Sequence, residues 1–245
     1  MDINISDSAE FKRLLEALID ELMDAQAHFK LHQDLEAATA DYGAEFNQSP
    51  VFWTMTLEAH MDATLHRLCK AYDLYEGKPN LNLKNFLKTI EANLSLFDEA
   101  NFRERLKESS YVDSLAAHPR SPDPALLQKD LESVSAADPL VNKLTIWRHN
   151  YFAHRSRNSA LNPKAFTREN PFPLSEIETL IRNGLRIMNH YSDLFSATHH
   201  ISHQTKDYKN ILDALRRDLE AKRKRIKEQR GAVKAVHRNA SPGKP

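Results

Sequence analysis

Apolar side chains recur every three or four residues along most of the chain, which is the spacing of amphipathic α-helices. The first such stretch covers residues 11–42. Asp7 or Ser8 can cap its start, and Gly43 is expected to end it. No stretch shows the alternation of apolar and polar residues that is typical of β-strands, and no internal repeat is visible. The pattern therefore predicts an all-α protein.

Further helices follow the same pattern as far as the middle of the chain. Ser49 precedes Pro50 at a first helical position, and the helix that starts there is predicted to run to Gly77. A shorter helix, "NLKNFLKTIEANLSLF", begins near Asn82. Two more are expected in "NFRERLKESSYVDSLAA" and "PALLQKDLESV". The prolines of "HPRSPDP" mark the connection between these two.

The second half of the chain contains three more predicted segments. Asp138 caps and Pro139 starts "PLVNKLTIWRHNYFAHRSR", which is expected to be one helix. The next stretch, "NSALNPKAFTRENPFP", has the composition of a long loop. Ser175 and Glu178 form a capping box for the helix that follows it. The last segment starts as a helix, loses its apolar stripe after Ile226, and is expected to end disordered.

Charge is unevenly distributed along a chain whose formal net charge is +0. Residues 1–100 contain 18 acidic and 8 basic side chains, whereas residues 206–245 contain 5 acidic and 13 basic side chains. A basic tail of this kind indicates either contact with a polyanion or attraction to the acidic front. We therefore predict a helical bundle over residues 1–205 and a basic, partly disordered C-terminal helix and tail over residues 206–245.

The remaining composition bears on the cellular compartment. Cys69 is the single cysteine, so an intramolecular disulfide is excluded, and its apolar helical surroundings predict a small core residue rather than a reactive thiol. The start "MDINISDSAEF" lacks the features of a signal peptide, and no uncharged apolar run is long enough to span a bilayer. These features predict a cytoplasmic protein without a membrane partner.

The stretch "IWRHNYFAHRSRN" combines aromatic residues with Arg and His within a predicted helix. The planar guanidinium of Arg148 suits phosphate oxygens, and His154 can exchange a proton near neutral pH. Together they could cleave RNA without a metal, since RNA supplies its own 2′-OH as the nucleophile. On a regular helix the two side chains lie about 120° apart. A site that uses both therefore needs a distorted helix or a second copy of it.

The spacing of Arg and His does not by itself identify a site. An Arg followed by four to six residues and then a His also occurs at Arg230 and His237 in the basic tail. A structural alternative for Arg148 and His154 is a polar patch that packs against a neighbouring helix or an acidic residue. The aromatic Phe152 is expected in the core, whereas the position of Tyr151 stays open between the core and a stacking surface for a base.

The context of the motif resembles the HEPN superfamily of helical nucleotide-binding and RNase domains, whose signature is an Arg, a polar residue and a His several positions on. "RHNYFAH" fits this signature with Arg148, His149 and His154. The capped helix "PLSEIETLIRNGLRIMNHYS" and the aromatic-rich "MTLEAHMDATLHRLCKAYD" are similar to the abortive-infection (AbiU-like) branch. The resemblance covers about residues 8–200, and only the motif is sharp. His149 departs from the Asn or Asp that most members have there, with Asn150 one place later.

The resemblance implies a homodimer in which two motif helices face each other across a two-fold axis. It further implies a metal-independent endoribonuclease of the toxin or phage-defence kind, which needs no cofactor and can have an antitoxin or regulatory partner. The implied catalytic residues are Arg148, His154, His149 and Asn150. The implied substrate-binding residues are Tyr151, Arg155 and Arg157. The alternative function is a non-catalytic helical module that binds a nucleotide, RNA or a protein through the same cleft.

Other motifs are weak or absent. His199 and His203 stand four residues apart beside His200, a spacing that is compatible with a metal, but no carboxylate or cysteine nearby completes the set. A solvated helix end is the alternative for these histidines. The chain lacks GxxxxGK[ST], GxGxxG, GxSxG and CxxC, which disfavours a nucleotide-triphosphate enzyme, a dinucleotide oxidoreductase and a structural zinc site.

Overall fold

The computed structural model describes residues 2–75, 77–152, 157–201 and 206–239. Within these residues the protein is all-helical and has no β-strand, which confirms the predicted fold class. The helices are α1 (Ser8–Ala38), α2 (Gly43–Phe46), α3 (Pro50–Ala71), α4 (Leu83–Ala92), α5 (Glu99–Arg105), α6 (Val112–Ala116), α7 (Pro124–Ser133), α8 (Pro139–Trp147), α9 (Arg157–Leu161), α10 (Pro163–Glu169), α11 (Leu174–Ser196) and α12 (Tyr208–Asn239). A 3₁₀ turn, Leu94–Phe97, follows α4, and a π-helix, Arg148–Phe152, follows α8.

Several helix starts are where the sequence predicts them, because a side chain accepts hydrogen bonds from the first backbone N–H groups. The Asp7 carboxylate accepts from the N–H of Glu10 at the start of α1. Asn82 caps α4 in the same way. Asp138 accepts two such bonds, and Pro139 follows it at the first position of α8. The start of α3 at Pro50 is also confirmed.

Some predicted ends are wrong in the first half of the chain. Gly43 does not end α1, which stops at Ala38, but instead begins the short helix α2. The second predicted helix stops at Ala71 and does not continue to Gly77. The single helix that was expected over residues 101–117 is divided into α5 and α6. After α3 the apolar pattern continues past the helix end because Tyr72 is still buried there.

Other corrections concern the second half. The predicted long loop over residues 158–173 contains α9 and α10, with Pro163 at the first position of α10. The capping box fails because α11 begins at Leu174, which places Ser175 inside the helix. The last helix begins within the predicted segment and is described as far as Asn239, and residues 240–245 lie outside the described part.

Contacts divide the chain into two compact units. Unit 1 comprises residues 1–30 and 60–202, and unit 2 comprises residues 31–59 and 203–245. The predicted domains, residues 1–205 and residues 206–245, stay a prediction. None of the described helices has both the length and the apolar character needed to cross a membrane.

The core of unit 1 is built around an aromatic cluster. Phe11 of α1 is fully buried, and its ring lies 5.1 Å from that of Phe86, 5.7 Å from Phe97 and 4.8 Å from Phe195. Burial of aromatic rings supplies a large share of the hydrophobic stabilisation of a core. The cluster therefore joins α1, α4 and α11, together with the 3₁₀ turn.

Polar anchors fix helices of unit 1 against one another. The hydroxyl of Tyr72, which follows α3, donates to the Leu180 carbonyl of α11 at 2.7 Å. Asp130 of α7 is buried, and it accepts from Arg186 at 2.6 Å and from the Tyr191 hydroxyl at 3.2 Å. Buried polar groups need such partners, because an unpaired one costs about 1–3 kcal/mol. These bonds hold α11 beside both the end of α3 and α7.

Unit 2 has a smaller core, which consists of Leu35, Ala38, Phe46, Trp53 and Leu212. Two polar contacts connect α12 to the segment around α2. The Arg216 Nε–H donates to the Glu45 carboxylate at 3.0 Å, and the Tyr42 hydroxyl donates to Asp213 at 2.7 Å. The first half of α12 is thus part of this unit.

Candidate functional site

The motif stretch lies where α8 changes into a π-helix. The α-helical backbone ends at Trp147, and Arg148–Phe152 form the π-helix. The predicted regular helix is therefore wrong over Arg148–Phe152, and residues 153–156 of that prediction, His154 among them, lie outside the described residues. A π-helix turn is rare and is often found at functional sites. It is a helix distortion of the kind that a site using both side chains would need.

Trp147 anchors the end of α8. Its indole Nε1–H donates to the Asn170 carbonyl at 2.9 Å, and its ring lies 5.2 Å from that of Phe166 and 6.1 Å from that of Phe172. The ring of Tyr151, one turn later, lies 5.4 Å away. The segment that was expected to be a loop therefore supports the motif, because α10 and the residues after it hold Trp147 in place.

Arg148 is bound by a carboxylate from another part of unit 1. Its Nη1 lies 2.5 Å from Oδ1 of Asp73, and its Nη2 lies 3.4 Å from Oδ2. The two side chains are 30% and 12% exposed. Such a fork-to-fork contact is directional as well as charged. It engages the two terminal nitrogens and leaves Nε–H outside the contact.

Asp73 is itself held in position. It lies two residues beyond the end of α3, and its Oδ1 also accepts from the backbone N–H of Tyr75 at 3.0 Å. The contact with Arg148 corresponds to the structural alternative for that residue, an acidic partner. Sequence reasoning missed Asp73, because 75 residues separate it from Arg148 and the predicted helix extended past it.

The charges of Arg148 and Asp73 both influence the pKa of the nearby Cys69 thiol. Cys69 is 6% exposed, as predicted for a core residue, and burial raises the pKa of its thiol to about 12. The charge of Arg148 lowers the pKa of Cys69 and that of Asp73 raises it, so the two effects oppose each other. The arginine therefore does not activate the thiol.

Cys69 is expected to resist thiol reagents in the folded protein. Reaction requires the thiolate, which both burial and the raised pKa disfavour. We expect modification by Ellman's reagent at pH 8 to be at least about tenfold slower in the native protein than in denaturant. Because the chain has one cysteine, the absorbance reports this thiol alone. Equal rates of modification in both conditions would show that the Cys69 thiol is accessible to the reagent in the folded protein.

Tyr151 borders a groove beside α3. Its side chain is 45% exposed, and the groove has a volume of about 560 Å³. The other lining residues are Asp62, Ala63, His66, Arg67 and Lys70. Sequence reasoning missed these α3 positions, because nothing in a helical pattern distinguishes them from an ordinary solvated face.

The cations of this groove are paired with acidic side chains of α1. Arg67 lies 3.4 Å from Glu21 and 3.0 Å from Asp24, and Lys70 lies 3.3 Å from Glu21. Charges of both signs therefore surround the exposed ring of Tyr151. Such a surface suits a flat, neutral group that stacks on the ring better than it suits a run of phosphates.

The other predicted site residues have different placements. His149 is exposed, and the Asn150 side-chain amide donates to the Ile146 carbonyl at 2.8 Å, one turn earlier. Arg157 is exposed at the start of α9. His154 and Arg155 lie outside the described residues. Among the described site residues, Arg148, His149, Asn150 and Tyr151 share the π-helix, and the contacts described for them are made with different partners.

The histidines near the end of α11 show other contacts. His200 Nε2 lies 3.2 Å from the Ser192 hydroxyl, and the His200 backbone exchanges hydrogen bonds with the Asn189 side chain. His203 is outside the described residues. In the described part of the chain, no three His, Cys, Asp or Glu side chains are grouped as metal ligands.

An all-helical protein with Arg148 in a distorted motif helix, followed by the long helix α11, has the features of the HEPN class. The profile of one family of this class, AbiU2 (HEPN_AbiU2), matches residues 8–231. The chain belongs to the AbiU2 family of HEPN proteins, and this membership indicates a HEPN-type function in abortive infection. No curated protein and no solved structure matches the chain.

Proposed function

We propose that the chain is a metal-independent endoribonuclease of the toxin or phage-defence kind. The observation that carries the proposal is the placement of Arg148, whose partly exposed guanidinium is fixed by Asp73 within a π-helix and keeps Nε–H outside that contact. A guanidinium that is held in this way is preorganised to bind an anion. The family to which the chain belongs supports the same conclusion.

The proposed reaction needs no group beyond the protein and the RNA. His154 removes the proton from a ribose 2′-OH, and the 2′-oxygen attacks the adjacent phosphorus. The bond to the 5′-oxygen breaks, and that oxygen takes a proton from a histidine acting as general acid. Arg148 stabilises the negative charge that develops on the phosphoryl oxygens. The products carry 2′,3′-cyclic phosphate and 5′-OH ends.

The neighbouring residues have supporting roles in this proposal. Tyr151 stacks a base at the mouth of the groove beside α3, and Arg155 and Arg157 bind flanking phosphates. Asn150 stabilises the widened helix through its bond to Ile146, and the exposed His149 orients the substrate from the polar position of the motif.

The complete cleft is proposed to form between two copies of the chain. Most soluble oligomers are symmetric dimers, and a two-fold axis beside the motif helix brings two Arg148 and two His154 side chains together. Every cellular RNA has 2′-OH groups, so an uncontrolled enzyme of this kind would cut the RNA of its own cell. We therefore include a regulatory partner of the antitoxin type and a cytoplasmic location in the proposal.

The contact between Arg148 and Asp73 supports a second candidate function, a non-catalytic module that binds RNA, a nucleotide or a protein. In that case the carboxylate neutralises the arginine permanently, and the groove beside Tyr151 is the binding surface. Binding of RNA without cleavage by the wild-type dimer would favour this candidate.

Replacement of Asp73 by alanine is expected to lower the rate of RNA cleavage by about tenfold, because Arg148 loses the group that orients it. The control is Asp73→Asn, which keeps an acceptor oxygen for Arg148. We expect this variant to cleave RNA at most of the wild-type rate, which would show that the loss in Asp73→Ala comes from the missing hydrogen-bond acceptor. The measurement is the initial cleavage rate of each variant at saturating RNA. A faster Asp73→Ala enzyme would mean that Asp73 competes with the phosphate.

The choice of substrate tests the proposed reaction. Mixed cellular RNA and single-stranded DNA copied from it would each be incubated with the wild-type protein in excess EDTA. We expect the RNA to be cut and the DNA to stay intact, because DNA lacks the 2′-OH nucleophile. Cleavage of both nucleic acids at similar rates would contradict the proposal, as would cleavage of RNA only after magnesium is added.

A further inference from the structure

Over residues 220–232, the middle part of α12 is a helix that no core covers. In unit 2, Leu212 of α12 is fully buried. From residue 220 to residue 232, every described side chain is exposed. This exposed part contains six cations, namely Lys222, Arg223, Lys224, Arg225, Lys227 and Arg230, against the two acidic residues Glu220 and Glu228. A free-standing basic helix of this kind presents its charge directly to a partner.

Three of these cations form a stripe on one face. Arg223, Lys227 and Arg230 are related by the spacings i, i+4 and i+7, which place them on the same side of a helix, over about 10 Å of its length. They line a shallow groove of about 480 Å³ together with Ile226 and Gly231. We call these three residues the cationic stripe.

The cationic stripe continues the face that packs into the core of unit 2. Leu212 lies eleven residues before Arg223, which is close to three full helical turns. The same face of α12 is therefore apolar in its buried part and basic in its exposed part. In the sequence, Lys234 extends the same spacing.

The remaining cations of the exposed part have acidic neighbours along α12. Lys222 lies 2.6 Å from Asp218, one turn earlier. Lys224 and Arg225 precede Glu228 by four and three residues, which puts all three on the same side of the helix. Within the stripe, Arg223 follows Glu220 by three residues, and its charge also acts on the Glu45 carboxylate. Lys227 and Arg230 have no acidic residue three or four positions away on α12.

We infer that the cationic stripe binds the phosphate backbone of RNA, at a site separate from the motif helix. The choice of RNA among polyanions rests on the proposed function. Arginine and lysine in a row match a chain of phosphates, and the contact needs no base recognition. A membrane surface fits less well, because residues 220–232 contain one large apolar side chain, Ile226, whereas an interfacial helix has a whole apolar face.

The test measures RNA binding in a background without cleavage. Every protein carries His154→Ala, and the probe is a fluorescein-labelled single-stranded RNA of mixed sequence. Binding is followed by anisotropy at several KCl concentrations. The stripe variant carries Arg223→Gln, Lys227→Gln and Arg230→Gln. The matched control removes the same charge from the other faces through Lys222→Gln, Lys224→Gln and Arg225→Gln. Glutamine preserves helix propensity, and circular dichroism verifies the helix content.

The stripe variant is expected to lower the slope of log K against log salt by about 2, since each phosphate contact with a single strand contributes about 0.7. If the stripe variant and its parent have equal affinities at 1 M salt, this difference in slope gives the variant an affinity about 100-fold lower at 0.1 M salt. The control is expected to lose less than about tenfold. Equal losses would overturn the inference, because total charge alone would then explain binding.

Two further outcomes would also overturn it. One is an unchanged affinity of the stripe variant. The other is stripe-dependent binding of phosphatidylserine vesicles by a protein that does not bind the RNA probe. Neither outcome depends on cleavage, so this inference can fail while the proposed ribonuclease activity stands. If the wild-type protein cuts no RNA but the stripe variant loses affinity as described, the proposed activity fails and the stripe remains an RNA-binding surface.

Discussion

Replacement of Arg148 by alanine is expected to slow RNA cleavage by about 100- to 1,000-fold, which is the usual effect of removing one donor that stabilises the transition state. Arg148→Lys keeps the positive charge but loses the planar fork, and we expect it to recover only a small part of the rate. The comparison of the two variants separates charge from geometry. Initial rates at saturating and limiting RNA would give kcat and kcat/KM for each.

Two controls accompany the Arg148 variants. Arg168, which is exposed on α10, is the matched arginine, and Arg168→Ala is expected to cleave RNA at the wild-type rate. Removal of Arg148 also leaves Asp73 without its partner, so urea unfolding of each variant shows whether the protein is still folded at the assay temperature. A folded Arg148→Ala protein with the wild-type rate would exclude Arg148 from the reaction.

Replacement of Phe11 by alanine is expected to lower the free energy of unfolding of the protein by about 3–5 kcal/mol, the usual cost for a fully buried phenylalanine. The loss combines apolar burial, the cavity that remains, and the contacts with three aromatic rings. A protein of this size has a stability of only about 5–15 kcal/mol, so the variant would be close to unfolding at physiological temperature.

The control for Phe11 is Phe52→Ala on α3. Its side chain is 60% exposed, and we expect a loss below about 1 kcal/mol. The midpoint of urea unfolding would be measured for both variants alongside the wild type. Similar shifts for the two would contradict the position of Phe11 at the centre of the unit 1 core.

The helical class of the fold is predictable from the sequence because the buried faces of helices such as α11 leave a regular apolar spacing. Helix starts are predictable where a side chain does the capping, as at Asp138. The ends are less predictable. The stop at Ala71 and the short helices over residues 157–169 depend on tertiary contacts, including the hydrogen bond from Trp147 to Asn170.

Some residues of the candidate site are likewise predictable from the sequence, and others are not. Arg148, His149 and Asn150 are contiguous, so a motif in the sequence is sufficient to find them. Asp73 is beyond such reasoning, because it meets Arg148 only after the chain folds. The π-helix has no signal in an apolar pattern either, since its extra residue shifts the register within a single turn.

The proposed metal-independent cleavage of RNA by Arg148 and His154 is tested most directly by the chemistry of the new RNA ends. Wild-type protein and His154→Ala would each be incubated with mixed cellular RNA in excess EDTA, and the ends would be mapped. We predict 2′,3′-cyclic phosphate and 5′-OH ends with the wild type and no new ends with His154→Ala. Equal cleavage by both proteins, or 5′-phosphate ends from the wild type, would contradict the claim.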